Sequence, residues 1–165
     1  MKTKKITIVA GLCDGCGKCL EACKQAVSKG HKKGIKEIAR MKILKKDLFY
    51  FPLLCRHCED APCVTACMSG GIQRNKEGLV VTDYKKCVGC WMCFMNCPFG
   101  AIERNEEEHI AIKCDGCLDK ETAPCVAACE MGVLGQIDIK EITTFLRKKA
   151  AARFLTGIKE DNWKK

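Results

Sequence analysis

Residues 87–98 read CVGCWMCFMNCP, in which four cysteines follow the spacing C-x2-C-x2-C-x3-C and a proline follows the last of them. Bacterial iron-sulfur proteins use this spacing, with the first three thiolates on one [4Fe-4S] cluster and the fourth on a neighbouring cluster. Residues 13–23 repeat the spacing without the proline. The pattern therefore predicts clusters in pairs that exchange their fourth ligands.

Four groups of four account for all sixteen cysteines of the 165-residue chain. The second and fourth groups use a longer spacing, and in both of them an Ala-Pro pair precedes the third cysteine. Since a [4Fe-4S] cluster takes four thiolates, the count predicts four clusters. The groups are Cys13, Cys16, Cys19 and Cys23; Cys55, Cys58, Cys63 and Cys67; Cys87, Cys90, Cys93 and Cys97; and Cys114, Cys117, Cys125 and Cys129.

Zinc is the alternative metal for so many cysteines. Structural zinc sites usually assemble from two separated cysteine pairs and need no third cysteine two residues further on. The two compact groups, with Pro98 directly after Cys97, therefore favour iron-sulfur clusters. His57 lies between Cys55 and Cys58. Because each group already has four thiolates, the His57 imidazole is predicted to adjust the potential of a cluster or to face solvent, instead of binding iron.

The formal net charge of +9 invites comparison with nucleic-acid-binding proteins. That count treats every cysteine as neutral, whereas an oxidised [4Fe-4S] cluster with its thiolates carries about −2, so four clusters reduce the total to about +1. The basic residues mainly offset the clusters, and no nucleic-acid partner is expected. A zinc-rich module that binds nucleic acid through its lysines is the alternative from a different functional class.

Short apolar stretches separated by polar turns predict an α+β fold of duplicated ferredoxin-like units around the clusters. Pro62 and Pro124 suit the first position of single-turn helices that connect the third and fourth cysteines of their groups. Residues 6–9 are predicted to form a strand that pairs with residues 133–139, and residues 41–44 to form another strand. Two hairpins are predicted, at residues 71–81 and at residues 101–112.

Two segments are predicted along the chain. Residues 1–138 form a double four-cluster domain whose cysteine motifs span residues 13–23, 55–67, 87–97 and 114–129, and residues 139–165 form an amphipathic helix with a basic tail. Such a helix either covers the cluster core or docks a partner subunit or a second copy. Its apolar stripe, at helical spacing, consists of Ile139, Ile142, Leu146, Ala150 and Phe154.

Catalytic motifs are not found in the sequence. It contains neither a glycine-rich fingerprint for flavin or nicotinamide nor a nucleophile-base-acid set, and the complete cysteine groups leave no open iron site. We therefore predict a non-catalytic electron-transfer protein rather than an enzyme. Because the sequence shows no apolar run of eighteen residues and no signal peptide, we expect no membrane span and a reducing, cytoplasmic location.

Taken in order, the four groups resemble those of the four-cluster ferredoxin-like electron-transfer subunits of the dimethyl sulfoxide reductase and formate dehydrogenase type. The resemblance covers roughly residues 5–138 and includes CRHCEDAPC at residues 55–63 and CPFGAI at residues 97–102. It implies that the first group pairs with the fourth and the second with the third, whereas spacing alone also permits sequential pairing. The implied ligand sets are set 1, Cys13, Cys16, Cys19 and Cys129; set 2, Cys114, Cys117, Cys125 and Cys23; set 3, Cys55, Cys58, Cys63 and Cys97; and set 4, Cys87, Cys90, Cys93 and Cys67.

Within that family the chain is most similar to the ferredoxin-like subunits that accompany carbon monoxide dehydrogenase, through ACMSGG at residues 66–71 and CVGCWMC at residues 87–93. This similarity implies carbon monoxide dehydrogenase as the catalytic partner and a second redox protein at the other end of the relay. Met68 and Glu130 depart from the pattern, because ferredoxins usually carry proline there. The alternative partner is a molybdenum or tungsten enzyme, such as formate dehydrogenase or aldehyde oxidoreductase, or a hydrogenase, and the C-terminal helix would then stack subunits into a filament.

Overall fold

The computed structural model describes residues 4–9, 11–30, 38–117, 119–138, 141–144, 147–148 and 151. Short strands and short helices alternate along the chain, which confirms the predicted α+β class. The elements in chain order are β1 (Lys4–Ile8), α1 (Lys18–Gly30), β2 (Met41–Lys46), β3 (Phe49–Leu54), α2 (Pro62–Thr65), β4 (Ile72–Arg74), β5 (Val80–Thr82), α3 (Met92–Met95), β6 (Ile102–Asn105), β7 (Ile110–Lys113), α4 (Pro124–Ala127) and β8 (Leu134–Asp138).

The strands pair in antiparallel twos: β1 with β8, β2 with β3, β4 with β5 and β6 with β7. The predicted pairing of residues 6–9 with residues 133–139 is thus confirmed, and Ile6 lies opposite Gln136. Both predicted hairpins are confirmed as β4–β5 and β6–β7. The strand expected at residues 41–44 is β2, but its partner β3 was not predicted, because Pro52 lies in its middle and proline normally argues against a strand.

The short helices α2 and α4 begin at Pro62 and Pro124, as predicted, since proline lacks the amide hydrogen that a first helical position does not use. By contrast, α1 is thirteen residues long, although it also connects the third and fourth cysteines of its group. The chain turns sharply three residues after the last cysteine of the other groups, at glycines with φ between +61° and +67°. No glycine occupies that place after Cys23, so α1 continues.

Two hydrophobic cores contain the cysteines. The first consists of Cys19, Met41, Leu54, Cys114, Ala123, Cys125 and Leu134, and the second of Ala61, Cys63, Ile72, Val80, Cys93, Ile102 and Ala111. Other cysteines pack at the edges of both cores. Cysteines therefore fill part of the interior beside the apolar side chains, and the metal that these cysteines bind becomes part of the core.

The predicted C-terminal stripe falls mostly outside the described residues. Residues 141–144 are helical and Ile142 is half-buried, whereas Ile139, Leu146, Ala150 and Phe154 are not described. The division at residue 138 thus stays a prediction. Among the described residues, no helix has the length and apolar character that crossing a membrane requires.

Candidate functional site

The four cysteines of set 1 line one cavity at the N-terminal end of α1. Cys13, Cys16 and Cys19 enter it from the first cysteine group, and Cys129 enters it just after α4. The cavity has a volume of about 70 Å³. The compact first loop therefore faces the last cysteine of the chain, 110 residues beyond Cys19.

A second cavity, of about 280 Å³, is lined by the four cysteines of set 2, Cys23, Cys114, Cys117 and Cys125. Burial, with a further contribution from neighbouring thiols, raises the pKa of Cys114 and Cys117 to about 11 and that of Cys125 to about 12. Thiols in this environment keep their protons unless a cation compensates the thiolate charge. Iron binding supplies that charge, so loading of this site releases protons.

Six of the eight cysteines of sets 3 and 4 lie in or against the second core. Burial raises the pKa of Cys63, and Cys55 and Cys97 raise it further. Burial likewise raises the pKa of Cys93 to about 11, with contributions from Cys87, Cys67 and Cys90. The thiols that act on Cys63 and on Cys93 thus belong to the set of each.

The structure brings the first cysteine group to the fourth and the second to the third. In the first pair, the last cysteine of each group lines a cavity with the first three cysteines of the other group. In the second pair, Cys97 is an electrostatic neighbour of Cys63, and Cys67 is one of Cys93. Cys55 links the two halves, since it packs against the first core and its charge raises the pKa of Cys114 after the larger effect of burial. The assignment of each set to one cluster stays a prediction.

Backbone amides donate to the cysteine sulfurs. Ile72 N–H donates to Cys67 Sγ at 3.2 Å, and this bond, with the Ser69 hydroxyl, holds the pKa of Cys67 below its usual range although burial acts to raise it. Such bonds stabilise negative charge on sulfur and are one of the controls on cluster potential. Further amide donors are Arg40 to Cys23 at 3.3 Å, His57 to Cys55 at 3.5 Å, Ala101 to Cys97 at 3.4 Å and Ala111 to Cys87 at 3.4 Å.

His57 is buried at 3 % exposure, so the solvent-facing alternative for its imidazole is wrong. Its Nδ1 lies 3.1 Å from both the amide nitrogen and the carbonyl oxygen of Val80. Burial first, and then the charge of Lys113, lower its pKa to about 3, so the ring is neutral at ordinary pH. His57 therefore connects the second cysteine group to β5 without adding a charge.

Two buried cations beside the cysteines were not predicted from the sequence. The Arg40 guanidinium forms an ion pair with Asp115 next to set 2. The Lys113 ammonium donates to the carbonyl oxygens of Val80 at 2.5 Å and Cys114 at 2.7 Å. The usable signal was that Lys113 ends a run of buried residues, Ile110 to Ile112, and directly precedes a cysteine group.

The donor set fits [4Fe-4S] clusters. The chain supplies sixteen thiols, none of them in a disulfide, and each iron of a cluster takes one thiolate. Four groups of four thiols are therefore the number that four clusters take. Among the described residues, no three cysteine, histidine or acidic side chains converge as a site for a single metal ion.

Comparison with known proteins agrees with this geometry. The sequence matches two descriptions of a 4Fe-4S dicluster domain, over residues 46–139 and residues 12–78. An uncharacterised ferredoxin of Methanocaldococcus jannaschii is 33% identical over 154 residues, which cover 93% of this chain and 84% of that protein. A thiosulfate reductase electron transfer subunit of Salmonella typhi is 33% identical over 153 residues, covering 86% of this chain and 80% of the subunit.

A subunit of the anaerobic dimethyl sulfoxide reductase of Escherichia coli is 39% identical over 105 residues. The match covers 61% of this chain and 49% of that subunit, so this chain corresponds to about half of it. The similarity supports the expected family of four-cluster electron-transfer subunits. It also favours iron-sulfur clusters over zinc.

Proposed function

This chain belongs to the 4Fe-4S dicluster domain family, and we propose that it relays electrons through four [4Fe-4S] clusters between a catalytic oxidoreductase and a second redox protein. The observation that carries the proposal is that two cavities are each lined by four cysteines, drawn from the first and fourth cysteine groups. When bound, the clusters supply reversible one-electron chemistry. The protein's own residues hold the clusters, exclude water from them and adjust the charge around them.

We assign one cluster to each cysteine set. Set 1 is Cys13, Cys16, Cys19 and Cys129; set 2 is Cys23, Cys114, Cys117 and Cys125; set 3 is Cys55, Cys58, Cys63 and Cys97; and set 4 is Cys67, Cys87, Cys90 and Cys93. The two cavities and the electrostatic neighbours of Cys63 and Cys93 support this assignment. In the resulting path sets 1 and 4 are the outer sets and sets 2 and 3 the inner sets.

Exposure distinguishes the outer from the inner sets. Of the sixteen cysteines only Cys16 and Cys90 are exposed, and they belong to sets 1 and 4. Every set has at least one buried cysteine, but sets 2 and 3 have no exposed one. Electrons would therefore enter and leave at the outer clusters, and the inner clusters would connect them through the interior.

Exposed apolar side chains lie near both exposed cysteines. Val88 and Met95 lie two and five residues from Cys90 along the chain and are exposed, and Met68, which follows Cys67 of the same set, is 97% exposed. Near Cys16, the β2–β3 hairpin packs Tyr50 against Gly15 and presents Leu48 and Phe49 to solvent. Exposed apolar patches on a small protein are typical of protein-binding surfaces. Two such surfaces suit a relay with two partners.

The first candidate for the catalytic partner is carbon monoxide dehydrogenase, which the motifs at residues 66–71 and 87–93 favour. The second is a molybdenum or tungsten enzyme, such as formate dehydrogenase or aldehyde oxidoreductase, or a hydrogenase. The relatives that serve a thiosulfate reductase and a dimethyl sulfoxide reductase support this second kind of partner. We further propose that the chain has no catalytic site of its own and works in the reducing cytoplasm, where free thiols persist.

Anaerobic purification followed by reduction tests this function. The protein should bind about sixteen irons and lose its brown absorbance on treatment with dithionite. If carbon monoxide dehydrogenase is the partner, that enzyme and carbon monoxide should then reduce the clusters as fast as the enzyme turns over. If formate dehydrogenase is the partner, that enzyme and formate should do so instead. Far fewer irons, or clusters that neither enzyme nor any other candidate partner reduces, would contradict the relay.

A further inference from the structure

Lys113 has the largest of the fully buried side chains in the described part of the chain, and it lies next to a cysteine group. The residue ends β7 with 2 % exposure, and the ammonium donates to the carbonyl oxygens of Val80 and Cys114. These two bonds satisfy part of its hydrogen-bonding capacity. They do not neutralise its charge, and a buried charge is strongly unfavourable unless an opposite charge compensates it.

No carboxylate compensates Lys113 within the part of the chain that the structure describes. Arg40, the other buried cation, is different because it pairs with Asp115. The anionic groups left to balance the ammonium are the thiolates of the cysteine sets.

Lys113 lies between the two inner sets. It directly precedes Cys114 of set 2, and its partner Val80 belongs to the second core together with Cys63 of set 3. Its charge acts on both thiols: burial raises the pKa of Cys63 and of Cys114, and Lys113 opposes that rise in each case. One cation therefore faces two sets at once.

We propose that the Lys113 ammonium is the shared counter-ion of the two inner clusters and raises the reduction potential of both. The proposal rests on the function and the cluster assignment proposed above. When one electron leaves an outer cluster and enters an inner one, the inner cluster gains one negative charge. A cation held in a low-dielectric interior stabilises that added charge far more than one in water. The inner clusters thereby accept electrons more readily, and no proton needs to move with the electron.

Charge-removing substitutions test the proposal. In Lys113→Met the ammonium is lost at nearly constant length, in Lys113→Gln a neutral donor to the carbonyl oxygens is kept, and in Lys113→Arg the charge is kept. The readout is an anaerobic potentiometric titration followed by electron paramagnetic resonance, with Cys16→Ser and Cys90→Ser used to identify the signals of the outer clusters.

In the Met and Gln variants, the equilibrium constant for reduction of the two inner clusters should fall at least tenfold, which corresponds to a potential lower by about 59 mV. Lys113→Arg should restore the original potentials. The matched control is Lys42→Met: Lys42 lines neither of the two cysteine cavities, and its side chain is 56% exposed and pairs with Glu103, so water screens its loss. This control should leave all four potentials unchanged.

Unchanged inner potentials, an equal shift of all four clusters, or a shift that Lys113→Arg shares would overturn the proposal. If neither neutral variant binds about sixteen irons while Lys113→Arg does, the lysine is required for assembly, and the tuning role is likewise refuted. These results concern Lys113 alone. A wild-type protein without four reducible clusters would instead refute the proposed function.

Discussion

Gly89, in the compact third cysteine loop, packs directly on the β6–β7 turn. Its φ is +65°, and a Cβ built on it would lie 2.6 Å from the carbonyl oxygen of His109 and 3.0 Å from that residue's carbonyl carbon. The obstacle is backbone just ahead of β7, so a rotamer change cannot relieve it. Gly89→Ala should therefore separate the loop that carries Cys87 and Cys90 from the turn.

The magnitude follows from two contributions. A residue with a side chain in the left-handed region costs about 1–2 kcal/mol, and overpacking costs about 1–3 kcal/mol more. Gly100 isolates the first contribution, because its φ is +61° and nothing lies within 4 Å of its Cβ position. Gly89→Ala should thus destabilise the protein by about 1–3 kcal/mol more than Gly100→Ala, or by roughly 3–9 °C in melting temperature.

Anaerobic thermal unfolding of the two variants, followed by visible absorbance, measures this difference. Iron analysis after exposure to a chelator adds a local readout, because set 4 contains both Cys87 and Cys90. Gly89→Ala should lose about four of its roughly sixteen irons before the rest, since the strained loop holds one cluster. Equal melting temperatures and equal iron retention in the two variants would refute the steric reasoning.

Two further predictions concern a buried ion pair and an exposed hairpin. Arg40→Met should reduce the free energy of unfolding in urea by about 2 kcal/mol, because it leaves Asp115 without its charged partner. Lys42→Met, at an exposed ion pair, should have no measurable effect, and equal losses in the two variants would contradict this account. Leu48 and Phe49 are 90% and 71% exposed, so replacing both by serine should change the free energy of unfolding by no more than about 0.5 kcal/mol. The same double variant should exchange electrons more slowly with one partner in stopped-flow measurements. Unchanged exchange with every partner would place the docking surface elsewhere.

Local signals predicted the elements in which local chemistry dominates. Proline at positions 62 and 124 began the short helices, and alternating apolar residues around polar turns predicted both hairpins. The prediction failed where packing overrides a local preference. Pro52 sits inside β3 because the β2 residue Ile43 pairs with it there, and the resulting hairpin lies against the first cavity.

Burial and charge compensation could not be predicted in this way. Lysine is rarely buried, so only the apolar run before Lys113 and the cysteine group after it distinguished this residue from the chain's other lysines. Lys113 is only 2 % exposed because β7 packs against β5, where its ammonium meets the carbonyl oxygen of Val80, a residue 33 positions earlier in the chain. The neutral state of His57 has the same origin, since it requires both the burial of the ring and the nearby ammonium.

The sequence by itself determined the kind and number of ligands, because each loop of closely spaced thiols can surround a cluster using only its own few residues. Which loops meet was decided by the tertiary structure. The antiparallel pairing of β1 with β8 holds residues 4–8 against residues 134–138, and this brings the first cysteine group to the fourth. Such a contact joins segments more than 120 residues apart, and its free energy depends on the packing of both cores instead of on any local spacing.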